Sequence, residues 1–99
     1  MSEPSLTVVL IEDEKQIRRF VRAALEEEDI AVFEAETGKQ GLIDAATRKP
    51  DLVIVDLGLP DTDGLDVIRE LRGWSEVPVI VLSARTQEDE KVAALDAGA

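Results

Sequence analysis

A run of four apolar residues between two aspartates most constrains what this chain can fold into. Leu52–Val55 is short and mostly β-branched, and it lies between Asp51 and Asp56. Such a run is typical of a strand that is buried on both faces, as in a parallel sheet. The eight residues after Asp56 include two glycines, one proline and two further aspartates, which predicts a loop. Asp56 is therefore expected at the carboxyl end of a buried strand, where open α/β sheets place their chemistry.

Three further segments have a strand-like composition, and each predicted strand is followed by residues with the apolar spacing of an amphipathic helix. Strands that alternate with helices in this way predict right-handed crossovers and a parallel sheet covered on both faces. Ninety-nine residues are enough for one such α/β domain. The other predicted strands are Leu6–Ile11, Ile30–Ala35 and Val77–Leu82.

Helix signals lie between these strands. The first helix is expected to bury one apolar face and to expose the opposite face, which carries Arg18 and Arg22. Thr37 with Gln40 matches a capping box and predicts the start of the second helix. A fourth helix is predicted after the last strand, with Gly98 as its C-cap. The predicted buried face of the first helix consists of Ile17, Phe20, Val21, Ala24 and Leu25.

Carboxylates follow two of the predicted strands at the point where each strand ends. Glu12 and Asp13 follow the first strand, and Asp56 ends the third. If those strands are neighbours, the carboxylates meet at one sheet edge and repel one another. A hard divalent cation such as Mg²⁺ would relieve this repulsion and leave a position for a phosphate oxygen. Asp56 could then be a nucleophile that forms an aspartyl phosphate, and the hydroxyl of Ser83 could donate to a phosphoryl oxygen.

Composition excludes several other kinds of chemistry. The chain contains no cysteine and no histidine, which removes disulfides, thiolate sites and the commonest transition-metal ligand. Its formal net charge of −11 argues against direct binding of this chain to nucleic acid or to an anionic membrane. No segment resembles a signal peptide or approaches membrane-spanning length, so a cytoplasmic location is expected.

Other readings of the acidic residues are open at this point. A dehalogenase-type phosphatase also uses an aspartate after a strand, but it requires a second aspartate two residues later, where this chain has Gly58. A dinucleotide-binding enzyme requires a glycine-rich turn after the first strand, whereas this chain has three acidic residues there. In the plainest reading the carboxylates only cap helices. Asp61 and Asp63 are assigned turn or capping roles and no chemistry.

These motifs occur together in an order that resembles the receiver domain of two-component response regulators. The resemblance extends from Leu6 to Gly98, nearly the whole chain. Its wider sequence also resembles the receivers of regulators of potassium transport. The short motifs are the acidic pair, Asp56, Leu59-Pro60, Asp63-Gly64 and Ser83-Ala84, and the wider segments are Ile11–Glu14, Ile17–Phe20, Val32–Glu36, Ala45–Asp51 and Gly73-Trp74.

The resemblance implies a flavodoxin-like, doubly wound parallel sheet with strand order 2-1-3-4, and four βα units of an expected five. It implies that Asp56 accepts a phosphoryl group from a sensor histidine kinase. Mg²⁺ would be held by Asp13, Asp56 and the backbone carbonyl of Gly58. Glu12 would act on the ion through water, and Ser83 would be the switch hydroxyl.

The same resemblance describes residues 1–99 as a receiver domain that is incomplete at its C-terminus. The family's fifth strand, with a phosphate-binding lysine and an aromatic switch residue, and its fifth helix would follow Ala99. The full-length protein is expected to form a homodimer and to control transcription, in particular of potassium-transport genes, through a DNA-binding domain. The receiver would be a phosphoacceptor switch and not an enzyme, beyond its own phosphorylation and dephosphorylation. With the fourth strand at a sheet edge, the fragment itself is expected to self-associate, and the alternative function is a non-phosphorylated interaction module.

Overall fold

The computed structural model describes residues 6–82, which form a four-stranded parallel sheet and three helices. The elements are β1 (Leu6–Ile11), α1 (Lys15–Glu27), β2 (Ile30–Ala35), α2 (Gly38–Arg48), β3 (Leu52–Asp56), α3 (Gly64–Arg72) and β4 (Val79–Leu82). The strand order is β2-β1-β3-β4, which confirms the predicted α/β fold and its order. None of these three helices has the length and apolar content needed to cross a bilayer. The predicted fourth helix lies outside the described residues.

The two central strands are buried on both faces. Side chains of β1 from Val8 to Ile11 are at most 1% exposed, and Val53 and Val55 of β3 are fully buried. Alternate residues of these strands enter two separate apolar clusters, one on each face of the sheet. The continuous apolar runs in the sequence therefore reflect helices that cover both faces. One cluster joins Val9, Ile11, Val53 and Val55 to Ile68 and Leu71 of α3, and the other joins Val8, Leu10 and Ile54 to Val21 and Leu25 of α1.

Helix α2 approaches the central strand closely at Gly41. A Cβ atom at this position would overlap Cδ1 of Ile11 and would lie 2.5 Å from its Cγ1. Only a residue without a side chain allows the helix to lie this near the strand. Gly41 therefore sets the separation between α2 and the end of β1, which leads directly into Glu12.

The start of α2 confirms part of the predicted capping box. The backbone N–H of Gln40 donates to Oγ1 of Thr37 over 3.1 Å. The Gln40 side chain donates to Asp44 instead of returning to Thr37, so the reciprocal half of the motif is absent. The helix ends at Arg48, and Lys49 takes a left-handed conformation with φ of 47° before Pro50.

The fourth strand begins later than the sequence pattern predicted. It begins at Val79, two residues after Val77, where the predicted strand began. Pro78 has no N–H to donate to a sheet ladder, so the strand begins after it. The carbonyl of Pro78 still accepts a hydrogen bond from the backbone N–H of Val53 over 3.0 Å.

The predicted orientation of α1 is wrong by part of a turn. Phe20 was expected to be buried but is 77% exposed, and Ala24 is exposed as well. Arg18 was expected to face solvent but is only 9% exposed. The partly buried stripe consists of Ile17, Val21 and Leu25, and it lies next to Arg18 on the helix surface.

The close approach at Gly41 predicts a measurable coupling with Ile11. Gly41→Ala should lower the free energy of unfolding by roughly 1–3 kcal/mol, because the added methyl group overpacks the contact. Ile11→Val removes the overlapping Cδ1 and should recover part of this loss in the double variant, which urea unfolding of all four proteins would measure. Strictly additive effects of the two substitutions would contradict a direct contact.

Candidate metal and phosphoacceptor site

Three carboxylates meet at the carboxyl edge of the sheet, as the sequence predicted. Glu12 and Asp13 follow β1, and Asp56 is the last residue of β3. Ile11 pairs with Val55 across the two parallel strands, so the next residues, Glu12 and Asp56, continue side by side. One carboxylate oxygen from each of the three residues lies within 4.8 Å of the other two. Their expected proximity is confirmed.

The three carboxylates differ in their exposure to solvent. Glu12 is 2% exposed, Asp56 is half-buried and Asp13 is exposed. Burial raises the pKa of Glu12 above its ordinary value of 4.5, and the negative charges of Asp56 and Asp13 raise it further. The hydrogen bond that its Oε1 accepts from the N–H of Glu14, over 2.9 Å, acts in the opposite direction. A cation bound between these carboxylates would offset their mutual repulsion and favour the ionised form of Glu12.

The helix-capping alternative does not account for Asp56. The cap of α3 is Asp63, whose side chain accepts the N–H of Leu65 over 2.9 Å. Glu14 is the N-cap of α1 and makes no capping bond with its side chain. Glu12 accepts the local N–H of Glu14 through its Oε1, but this bond lies before the first residue of α1.

Asp61 caps a helix to which it does not belong. It lies in the loop after β3, and its two carboxylate oxygens accept the N–H groups of Gly38 and Lys39 over 2.8 and 3.1 Å. These bonds come from the first two residues of α2, and they lower the pKa of Asp61. The sequence analysis expected a turn or cap role for Asp61 and Asp63, and both are confirmed as capping residues.

The loop after Asp56 returns closely to the strand end. The N–H of Gly64 donates to the carbonyl oxygen of Leu57 over 3.0 Å, and Gly58 forms an isolated bridge with Asp63. A Cβ at position 64 would overlap the carbonyl oxygen of Asp56 and lie 2.7 Å from Cα of Leu57. Glycine at position 64 therefore allows α3 to begin directly beside the backbone of Asp56.

One residue at the site was missed by the sequence analysis. Arg18 extends from α1 beneath the acidic pair, and its Nη1 donates to the backbone carbonyls of Glu12 and Asp13. Its other nitrogens face carboxylates at the end of β2, those of Glu34 and Glu36. The sequence offered no clear signal for this contact, because Glu34 lies in β2 and the largely exposed Glu36 follows it, both far from Arg18 along the chain.

Ser83, the predicted switch hydroxyl, lies outside the described residues. The last residue of β4, Leu82, pairs with Asp56 across the parallel strands. Ser83 follows Leu82 in the sequence, and its role stays a prediction. The proposed ligand carbonyl of Gly58 also stays a prediction, although Gly58 itself is exposed in the loop beside Asp56.

Comparison with known proteins gives the family. The family model for the response regulator receiver domain matches residues 8–99 of this sequence. The chain belongs to this family. The receiver fold and the strand order described above agree with it, so the fold expected from the sequence motifs is confirmed.

Curated relatives show the same similarity over nearly all of the chain. The KDP operon transcriptional regulatory protein KdpE of Escherichia coli is 66% identical over 92 residues. The transcriptional regulatory protein KdpE of Mycobacterium tuberculosis is 54% identical over 92 residues. Each alignment covers 93% of this chain but 41% of the relative, so the chain spans about two fifths of their length.

Solved structures of receiver domains superpose closely on this chain. The BeF3-activated N-terminal receiver domain of Klebsiella pneumoniae RstA has a TM-score of 0.91 at 30% identity, covering 94% of this chain and 80% of that one. The receiver domain of the Francisella response regulator 1452 has a TM-score of 0.89 at 30% identity, covering 96% and 79%. The chain therefore has the architecture of a receiver domain, which is a signalling switch domain.

The raised pKa of Glu12 predicts how stability depends on pH. The folded protein binds the Glu12 proton more tightly than the unfolded chain does, so the stability that protonated Glu12 contributes is lost as pH rises from 4.5 through the raised pKa. The Glu12→Gln variant has a neutral amide at this position that does not ionise, so it does not show this loss. At pH 7 without divalent cations the variant should be more stable than the wild type, and the difference should vanish below pH 4.5.

Urea unfolding between pH 4 and 8 would measure this difference, with Glu76→Gln as the control for net charge. Glu76 is an exposed glutamate between α3 and β4, so its replacement removes one negative charge far from the acidic cluster. An equal gain in stability from Glu76→Gln would assign the effect to net charge and contradict the prediction.

Proposed function

We propose that this chain is the phosphoacceptor domain of a two-component response regulator, phosphorylated on Asp56 in the presence of Mg²⁺. The observation that carries the proposal is the convergence of the Glu12, Asp13 and Asp56 carboxylates at one sheet edge of a receiver-family chain. Its partner would be a sensor histidine kinase that supplies the phosphoryl group. Residues 1–99 would form the receiver part of the regulator.

The donor set of the site fits a hard cation. Carboxylate oxygens within 4.8 Å of one another suit Mg²⁺, which takes one or two carboxylates and keeps several waters. We assign Asp13, Asp56 and the carbonyl of Gly58 as ligands, with Glu12 acting through a bound water. When bound, the ion would neutralise the negative charge of a phosphoryl group beside Asp56.

Asp56 is the carboxylate best suited to be the nucleophile. It ends a buried strand and its carbonyl lies against Gly64, so its backbone is fixed, while its half-buried side chain remains within reach of a partner. Its carboxylate oxygen would attack phosphorus as the N–P bond of the kinase phosphohistidine breaks. The imidazole leaves with the bonding electrons and takes a proton from solvent, so this chain needs no general base. The Ser83 hydroxyl would donate to a phosphoryl oxygen.

The function of the whole regulator is proposed from its relatives. The KdpE proteins are named as transcriptional regulatory proteins, one of them of the KDP operon. We propose that this chain likewise governs transcription, of potassium-transport genes, through a DNA-binding domain outside residues 1–99 and as a homodimer. A net charge of −11 supports a role for this chain without direct contact to DNA or membrane, in the cytoplasm.

Replacing the phosphoacceptor tests the assignment directly. Asp56→Asn should abolish transfer of label from a ³²P-phosphorylated sensor kinase, because an amide does not form the acyl phosphate. Asp66→Asn is the matched control, since Asp66 is an exposed aspartate on α3 that pairs with Arg69 one turn away. Hydroxylamine-sensitive label that persists in Asp56→Asn would show that another carboxylate is the acceptor.

Thermal unfolding with and without Mg²⁺ tests the metal site independently of phosphorylation. Binding to the folded state alone should stabilise the protein by about 2.7 kcal/mol at 100 times the dissociation constant. Asp13→Asn should remove most of this gain, while Asp66→Asn should retain it. Ionic strength is held constant with KCl, because screening also stabilises an acidic chain. A wild-type midpoint that does not move at millimolar Mg²⁺ would argue against the site.

A further inference from the structure

Arg18 is a buried cation whose partners are two backbone carbonyls and two carboxylates. Its side chain is 11% exposed, and a guanidinium at such a depth needs hydrogen-bond acceptors to offset the loss of water. Nη1 donates to the carbonyl of Glu12 over 2.9 Å and to the carbonyl of Asp13 over 2.8 Å. One nitrogen therefore holds two successive peptide groups, those that follow Glu12 and Asp13.

These two carbonyls lie outside the hydrogen-bond ladder of the helix. The ladder begins at the N-cap, Glu14, whose carbonyl accepts the N–H of Arg18 over 3.0 Å. The carbonyls of Glu12 and Asp13 precede the N-cap, so no turn of α1 orients them. The guanidinium from the first turn of the helix reaches back and takes this role.

The other side of the guanidinium is anchored to a different strand. Nη2 donates to Oε1 of Glu36 over 3.2 Å, and Nε lies 3.8 Å from Oε1 of Glu34. Glu34 belongs to β2 and Glu36 follows it, so the fork of Arg18 bridges the loop after β1 to the end of the neighbouring strand. A planar guanidinium can make these contacts together because its donors are fixed in direction.

We propose that Arg18 is a positioning residue for the metal site, on the basis of the function proposed above. By fixing the peptide groups of Glu12 and Asp13, it sets the directions in which their side chains leave the backbone and holds these carboxylates near Asp56. Its hydrogen bonds to the loop after β1 go to backbone oxygens, so it would act through the backbone of the ligands.

Electrostatics and positioning predict opposite effects when Arg18 is removed. A positive charge close to a cation site repels Mg²⁺, so charge alone predicts tighter binding after neutralisation of Arg18. Loss of an orienting contact predicts weaker binding, since removal of groups that orient metal ligands commonly lowers affinity by about 10–100-fold. The sign of the change therefore separates the two explanations.

Isothermal titration of the full chain with MgCl₂ provides the test. Arg18→Met keeps the apolar stem and removes the donors, and it should weaken Mg²⁺ binding by at least about tenfold. Arg22→Met is the matched control, because Arg22 lies one turn further along α1 and also pairs with Glu34, over 2.8 Å. Within residues 6–82 Arg22 pairs with Glu26 and Glu34 and not with the carbonyls before the helix, so its variant should bind as tightly as the wild type or more tightly.

A conservative variant separates positioning from general destabilisation. Arg18→Lys keeps the charge but lacks the fork, and its affinity for Mg²⁺ should lie between those of wild type and Arg18→Met. Circular dichroism selects a temperature at which each variant is folded, so that the dissociation constant does not report unfolding. If Arg18→Met does not fold, the test rests on Arg18→Lys, which should bind Mg²⁺ more weakly than both the wild type and Arg22→Met.

The outcomes that would overturn the inference are distinct from those that would overturn the proposed function. Wild-type protein that binds no Mg²⁺ would reject the metal site, and the role of Arg18 with it. Wild type that binds Mg²⁺, together with Arg18→Met that binds equally or more tightly, would reject the role of Arg18 alone. Arg18→Lys with wild-type affinity would likewise show that the fork is not needed.

Discussion

Parallel pairing of β1 with β3 is the interaction on which the rest of this molecule depends. It joins the two strands that are buried on both faces and brings the ends of those strands, with their acidic residues, side by side. Burial of a large aliphatic side chain contributes roughly 1.5–3 kcal/mol, and the central strands bury several such side chains. The apolar interior can therefore hold together an edge at which carboxylates repel one another. The buried centre of the sheet stabilises the fold, and the mutually repelling carboxylates lie at its carboxyl edge.

Local rules were sufficient to predict the strands, the helices and a shared carboxyl edge, whereas the neighbouring positions of β1 and β3 were expected from the resemblance to receiver domains. Short β-branched runs become buried strands, parallel strands share one carboxyl edge, and the residues that end β1 and β3 must then lie at that edge. Thr37, Asp61 and Asp63 were also recognisable as turn or cap residues from their short polar side chains. Asp61 nevertheless caps a helix distant in sequence, which no local pattern could indicate.

The face of α1 could not be predicted because periodicity identifies apolar positions without identifying what covers them. Phe20 has the right spacing for burial, yet among residues 6–82 little packs against it. Arg18 appears in sequence as one of several surface arginines, and its burial depends on acceptors contributed by the loop after β1 and by the end of β2. Those partners are adjacent only after the sheet has formed. A buried charge of this kind is specified by tertiary structure, and a helical wheel drawn from one segment misses it.

The carboxylate of Asp61 connects the loop after β3 to the first turn of α2. Thr37 accepts the N–H of Gln40, whereas the N–H groups of Gly38 and Lys39 depend on a carboxylate that belongs to the loop after β3. The first turn of α2 contains no acidic residue of its own. The negative charge beside the positive N-terminal end of the helix dipole therefore comes from Asp61 in the loop after β3. A displacement of that loop would leave two donors at the head of the helix without their acceptor. A shift of the loop after β3 would therefore act on the start of α2 through the carboxylate of Asp61.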